Sequence, residues 1–236
     1  MSDEPRRARL PHWEASTAVA HGAWAEKRRL AEAMRRVIER LVLSDAPEAE
    51  LRLAADRLEL YAEHLSGHPR LRRYEGFAET SPAGDVAAFF DRSPLIGLAN
   101  PLAPPIAIRP TGERTAEGLV TFGSAYEGPP GCVHGGFVAA AFDEVLGFAQ
   151  SLTGQPGFTG TLGVRYRKPT PLHTGLRFTA EVLRTEGRKI FTRGELHAGP
   201  TLCAEADAIF VSARAESYQA MLAERERQEA ERDRHG

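Results

Sequence analysis

The chain has 236 residues, 30 basic against 32 acidic side chains, and a formal charge of −2. That balance argues against nucleic acid or an anionic membrane surface as a partner, and the length allows one sizeable domain plus an appendage. Two cysteines, no apolar run of membrane-spanning length, and an N-terminus without the apolar core of a secretion signal predict a soluble, cytoplasmic protein without a disulfide framework.

From Trp13 to Leu43 there is no proline and one glycine, Gly22, among many Ala, Glu and Arg residues. Trp24, Ala31 and Ile38 recur every seven residues, as do Ala20, Met34 and Leu41 around Lys27. This spacing predicts an amphipathic helix. Lys27, Arg28, Arg29, Arg35 and Arg36, interleaved with Glu26, Glu32 and Glu39, read as its solvated face. Ser44-Asp45-Ala46-Pro47-Glu48 then breaks and restarts the helix, with Asp45 as the expected cap, Pro47 in the first turn and Glu48 completing a capping box. Leu51, Ala54, Leu58, Tyr61 and Leu65 mark one face of the second helix, which Gly67 and Pro69 end. Two stripes on a short link predict a helical hairpin over residues 1–68, serving either as an arm packed on its own core or as a dimerisation or docking element.

Residues 69–85, rich in Gly, Pro and charge, read as a linker. Ser93-Pro94 has the form of a cap followed by a first-turn proline, predicting a short helix that ends by Asn100-Pro101. After Pro105 the period changes. Residues 106–109 and 118–123 read as strands around a turn at Pro110-Thr111-Gly112-Glu113, and 159–168, 176–183, 189–197 and 202–213 follow as four more. Between the second and third strands lies a Gly/Pro-rich loop that delivers His134, Gly135 and Gly136, then an apolar run of helix formers from Phe137 to Leu152. The order β-β-α-β-β-β-β with tight turns implies one antiparallel sheet covered by a single helix, an α+β fold. The tail over residues 215–236 is mostly Glu and Arg and carries no functional signal.

The central segment holds the chemistry. A helix start offers unpaired amides and a partial positive charge, and glycines let a ligand oxygen come close. Nine residues after His134 stands a carboxylate in apolar surroundings, Asp143, with Glu144 beside it pointing about 100° away. An anion hole and a base suggest acyl transfer to water; the plainer reading is a tight turn followed by a solvated acidic pair. Cys132 has no acid–base partner placed by spacing, and the histidines lack metal-ligand spacing, so no metal is expected. Arg165, Arg167 and Lys168 end a strand where they could meet the phosphates of a ligand or simply be solvated.

Glu127-Gly128…Val133-His134-Gly135-Gly136…Asp143, Tyr166-Arg167-Lys168-Pro169 and Glu186-Gly187-Arg188-Lys189, in this strand order, resemble the hotdog-fold thioesterases. The likeness is greatest to the phenylacetate-pathway type and the human thioesterase-superfamily members, and covers roughly residues 86–213 of a domain drawn over 86–214. The resemblance implies a hotdog fold and acyl-CoA hydrolysis by a dimer or dimer of dimers, with coenzyme A entering only as part of the substrate. In that family the Gly135 amide would bind the oxyanion, helped by the helix dipole and Gly136, and Asp143 would act as base or nucleophile across a subunit interface. Thr159 would help to hold the water, and His134 would fix the loop. Some relatives carry Asn or Gln where Gly128 stands; that role is either vacant here or filled by another polar group, with Asn100 the candidate. The rival readings are a non-catalytic acyl-CoA sensor signalling through the hairpin and a hotdog dehydratase, whose Asp/His dyad is not found here.

Overall fold

The computed structural model describes residues 20–68, 91–155 and 157–212, together with Glu224 and Arg227. The expected helix start at Trp13, the linker over 69–85 and the rest of the 215–236 tail lie outside the described residues.

Six strands form one antiparallel sheet in the order β1-β2-β4-β5-β6-β3: β1 (Ala107–Pro110), β2 (Thr115–Val120), β3 (Gly157–Tyr166), β4 (Leu176–Glu186), β5 (Lys189–Ala198) and β6 (Thr201–Ser212). The hairpin turns are short for a physical reason. Gly187 and Gly199 sit at φ 57° and 55°, the left-handed region that glycine enters without a Cβ penalty. Helix α3 (Gly135–Ser151) lies on the concave face and buries Val138, Ala141, Phe142, Val145, Leu146 and Ala149. Two glycines set the distance of approach: a Cβ on Gly118 would come to 2.8 Å from Val145 Cγ2, and one on Gly194 to 3.1 Å from Leu146 Cδ2. Phe142 and Phe178 meet edge-to-face with ring centroids 5.0 Å apart at the centre of this core. The outer face of the sheet carries charge pairs instead, among them Arg193–Asp207 and Arg167–Glu205.

β3 is an edge strand with one irregularity. Its pairing with β6 slips between Thr159 and Thr161, so Gly160 is an extra residue, a β-bulge. Leu162 and Val164 pack against the core, and Thr159, opposite the buried Phe210, is returned to that same side by the bulge.

The element order agrees with the expectation; three local expectations do not. The short helix from Ser93 is a series of turns. Ser93 Oγ does accept from the amides of Leu95 and Ile96, at 3.2 Å each, but the chain doubles back at Gly97, where a Cβ would lie 2.4 Å from the Asp91 carbonyl. What pulls it round is buried Asp91, whose carboxylate takes the amide of Leu98 at 3.3 Å. Helix α2 (Glu48–Ser66) starts after Pro47, which itself occupies the cap position; Asp45 caps nothing, and Glu48 pairs with Arg52. Finally, the hairpin does not close into a packed arm: α2 has no buried residue.

Helix α1 (Gly22–Val42) departs in part from its expected polarity. It docks on the domain through Trp24 and Ala31 of the expected apolar stripe together with Arg28, Arg35 and Glu39 of the face expected to be solvated. Trp24 Nε1 and Arg28 Nε donate to Asp91 Oδ2 at 2.8 and 2.5 Å, and Arg35 donates to the carbonyls of Asn100 and Leu98 at 2.9 and 3.2 Å. Glu39 accepts from the amides of Ser124 and Ala125 at 2.9 and 3.3 Å. The apolar residues Met34, Ile38 and Leu41 stay exposed. A buried carboxylate needs donors, and a helix that supplies them is oriented by them.

Candidate active site

The loop into α3 is held from every side. Glu127 bridges Val133 and Cys132 bridges Pro171; the Val133 amide donates to Thr170 O at 2.8 Å and the His134 amide to Tyr126 O at 2.9 Å. Glu127 Oε1 accepts from the amide of Gly131, at 2.6 Å, where φ is 71°. Gly128 packs so tightly that a Cβ would lie 2.7 Å from His134 Cα. A side chain there, such as the amide that some relatives carry, would collide with backbone.

His134 is the N-cap of α3, and its Nδ1 accepts from the Gly136 amide at 3.0 Å. That bond assigns the neutral ring's proton to Nε2. It also occupies the Gly136 amide. The Gly135 amide opens the helix, where no intrahelical acceptor exists for it. The Gly135 carbonyl is fixed from behind by Tyr166, whose hydroxyl donates to it at 2.8 Å, and a Cβ on Gly135 would press the ring at 3.3 Å. Sequence reasoning assigned Tyr166 no role; its only signal was its place in the Tyr-Arg-Lys-Pro strand end.

Asp143 lies further along α3, half-buried, and its Oδ1 accepts from Thr159 Oγ1 at 2.7 Å. These two expected site residues are thus brought together. Glu144 beside them is also half-buried and is pushed up to about 7, first by burial and then by the negative charge of Asp143. It therefore divides between its neutral and charged forms near neutral pH.

The other candidates stand apart. Asn100 spends its side chain on its own loop, donating to Arg92 O at 2.9 Å and accepting from the Leu102 amide at 3.0 Å. Arg167 is paired with Glu205 at 2.6 Å on the outer face, and Lys168 is exposed just past the end of β3. Cys132 Sγ contacts the Pro130 carbonyl at 3.5 Å.

A second group was missed by sequence reasoning. Ser124 Oγ and His173 Nε2 are 2.9 Å apart, with Glu39 beside them. The residue types suggest a nucleophile and its base, but the serine is buried and Glu39 bonds backbone amides, not the ring. The group is a support. It holds the 3-10 turn Ser124–Tyr126, and Tyr126 in turn holds His134. Burial works to raise the Glu39 carboxyl, but its hydrogen bonds from Ser124 and Ala125, with the charge of His173, keep it below the ordinary range.

Residues 130–204 match the family model described as the thioesterase superfamily. Acyl-coenzyme A thioesterase THEM4 of Xenopus laevis is 35% identical over 101 residues, 42% of this chain and 46% of that protein. Acyl-coenzyme A thioesterase THEM5 of Homo sapiens is 28% identical over 151 residues, 63% of this chain and 59% of that protein. The chain thus spans about half the length of these curated relatives. A solved thioesterase superfamily protein superposes with a TM-score of 0.68 at 32% identity, covering 78% of this chain and 94% of that one. With a sheet wrapped on one helix and a relative matched over nearly its whole length, this chain belongs to the thioesterase superfamily and has its hotdog fold.

Proposed function

We propose that the protein is an acyl-CoA thioesterase that hydrolyses an acyl or aryl thioester to the free acid and coenzyme A. The observation that carries this reading is the hydrogen bond from Thr159 to Asp143, which places an oriented carboxylate on the helix that opens with the Gly135 amide. Thr159 occupies Oδ1, leaving Oδ2 to take a proton from water. The activated water adds to the thioester carbonyl, the oxygen gains negative charge at the Gly135 amide, and the C–S bond breaks as the thiolate leaves and is protonated. Attack by Asp143 itself, through a mixed anhydride, uses the same geometry.

Gly135 and Asp143 are eight residues apart on one helix, about 12 Å at a rise of about 1.5 Å per residue. That is too far to serve one carbonyl, so the amide of one subunit works with the carboxylate of another. The edge position of β3 supports such a homodimer, because the outer side of this ten-residue strand, without a strand partner among the described residues, is a ready template for a second copy. Lys168, exposed beyond that strand, is the cation proposed for the coenzyme A phosphates, since Arg167 already has a partner.

Thiol release from a panel of acyl-CoAs tests the reading. Asp143→Asn is expected to lower kcat by ~100-fold or more, and Thr159→Val by less, with the fold retained. Equal release by wild type and Asp143→Asn removes Asp143 from the mechanism. Tight acyl-CoA binding without release from any ester favours the sensor.

A further inference from the structure

Helix α1 and the loop that opens α3 meet at one residue, Tyr126. On the side of α1 the grip is double. Glu39 accepts from the amides of Ser124 and Ala125, at 2.9 and 3.3 Å, and so pins the 3-10 turn that Tyr126 ends. Gly123 admits the carboxylate, since a Cβ there would lie 2.5 Å from Glu39 Oε2. One turn earlier on the same helix face, Arg35 Nη1 donates to Asn100 O at 2.9 Å. Asn100 Oδ1 accepts from the Leu102 amide at 3.0 Å, and Leu102 O accepts from the Tyr126 hydroxyl at 2.9 Å. Burial pushes the Tyr126 phenol up, and the phenol feels the opposed charges of Arg35 and Glu39. On the side of α3 Tyr126 is joined twice as well. Its carbonyl accepts from the His134 amide at 2.9 Å, and its ring meets Phe137 edge-to-face with centroids 4.9 Å apart.

His134 and Phe137 bracket the Gly135 amide. Gly135 and Gly136 have no side chains to fix their backbone, so the aim of that amide depends on the cap residue before it and the first packed side chain after it. Tyr126 holds both. We propose that Tyr126 is a positioning residue for the Gly135 amide, and that Arg35 and Glu39 make the appended helix α1 part of what aims it. The proposal rests on the thioesterase reading, in which that amide receives the oxyanion. A misdirected amide loses little of its bond to a neutral thioester oxygen and more of its bond to the developing oxyanion, which is the stronger of the two. The signature of this role is therefore a lower kcat at a nearly constant KM.

Three conservative variants of the full chain, assayed well below Tm, test this. Glu39→Gln turns one carboxylate acceptor into a donor that faces an amide; kcat for thiol release should fall ~10-fold, with KM within about twofold of wild type. Tyr126→Phe keeps the ring on Phe137 and drops the bond to Leu102, and its kcat should fall about threefold. Trp24→Phe removes one hydrogen bond, to Asp91, from the same helix about 22 Å away along its axis; it should lower Tm and leave kcat unchanged. Exchange of the His134 backbone amide is the second measurement, expected to be faster in Glu39→Gln and unchanged in Trp24→Phe. A kcat in Glu39→Gln equal to that of wild type overturns the proposal. So does a loss that Trp24→Phe shares, which marks a general loosening of the domain. Wild type that releases no thiol from any acyl-CoA overturns the thioesterase reading, and the His134 amide then decides the link by itself: exchange unaltered in Glu39→Gln means that α1 does not hold the loop.

Discussion

α1 and α2 have similar lengths, 21 and 19 residues, and both carry apolar residues at helical spacing, yet among the described residues only α1 is attached to the domain. The difference is not hydrophobicity, for exposed leucines occur on both. It lies in where polar side chains find buried partners. Trp24, Arg28, Arg35 and Glu39 each complete a group that the domain leaves unsatisfied: a carboxylate at Asp91, carbonyls at Leu98 and Asn100, amides at Ser124 and Ala125. Among the described residues α2 has no such contact to the domain, and its charge pair Arg52–Glu48 is within its own first turns. A helix in this protein is docked by what it satisfies before what it covers.

The sharpest test is Asp91→Ala. It leaves Arg28, whose side chain is 15% exposed, without its carboxylate, and should cost about 3–5 kcal/mol in urea unfolding. A change under 1 kcal/mol would mean that α1 is not welded to the domain. Glu39→Gln keeps the size of the side chain but weakens two charge-assisted hydrogen bonds; a loss of about 1.5–3 kcal/mol is expected, at the low end because Glu39 is partly exposed. The pH dependence should carry its signature. A carboxyl held below its ordinary 4.5 contributes stability above that value and loses it as pH falls through the folded-state value, so wild type should lose its advantage over Glu39→Gln in acid.

Glu144 gives the opposite sign. Its carboxyl is raised from 4.5 to about 7, so between those values the folded chain holds more protons than the unfolded one, and stability falls as pH rises. Glu144→Gln should flatten that slope and raise Tm at pH 8 relative to wild type, with little change at pH 4. An unchanged slope would remove Glu144 as its source. The smallest effect belongs to α2: Leu58→Ala should alter stability by less than about 0.5 kcal/mol.

The strands, the turns and α3 were legible because their apolar periods, glycines and prolines act locally. Leu162 and Val164 alternate with polar residues as a half-buried strand must, and Gly187 and Gly199 stand where the chain reverses. The docking of α1 was not legible. Arg28 and Asp91 are 63 residues apart, and nothing local separates an arginine that will meet a buried carboxylate from one that will meet water. In the site, Asp143 could be placed by helical spacing, whereas Tyr166 behind Gly135 and the capture of the Gly136 amide by His134 depend on how a loop folds back. Asn100 is the converse case, a suitable side chain consumed by its own turn.

The bulge at Gly160 makes the site depend on how the strand pairs as well as on its composition. Strict alternation from Leu162 and Val164 would turn Phe158, not Thr159, toward α3, and it is the one extra residue that exchanges them. Deleting Gly160 would remove the bulge and leave Thr159 opposite Phe210, still on the side of Asp143, whereas keeping Gly160 in a regular ladder would set a phenyl ring there in place of the hydroxyl. A homologous strand one residue shorter at this point would keep the partner of its carboxylate, and one of equal length that paired without the bulge would lose it.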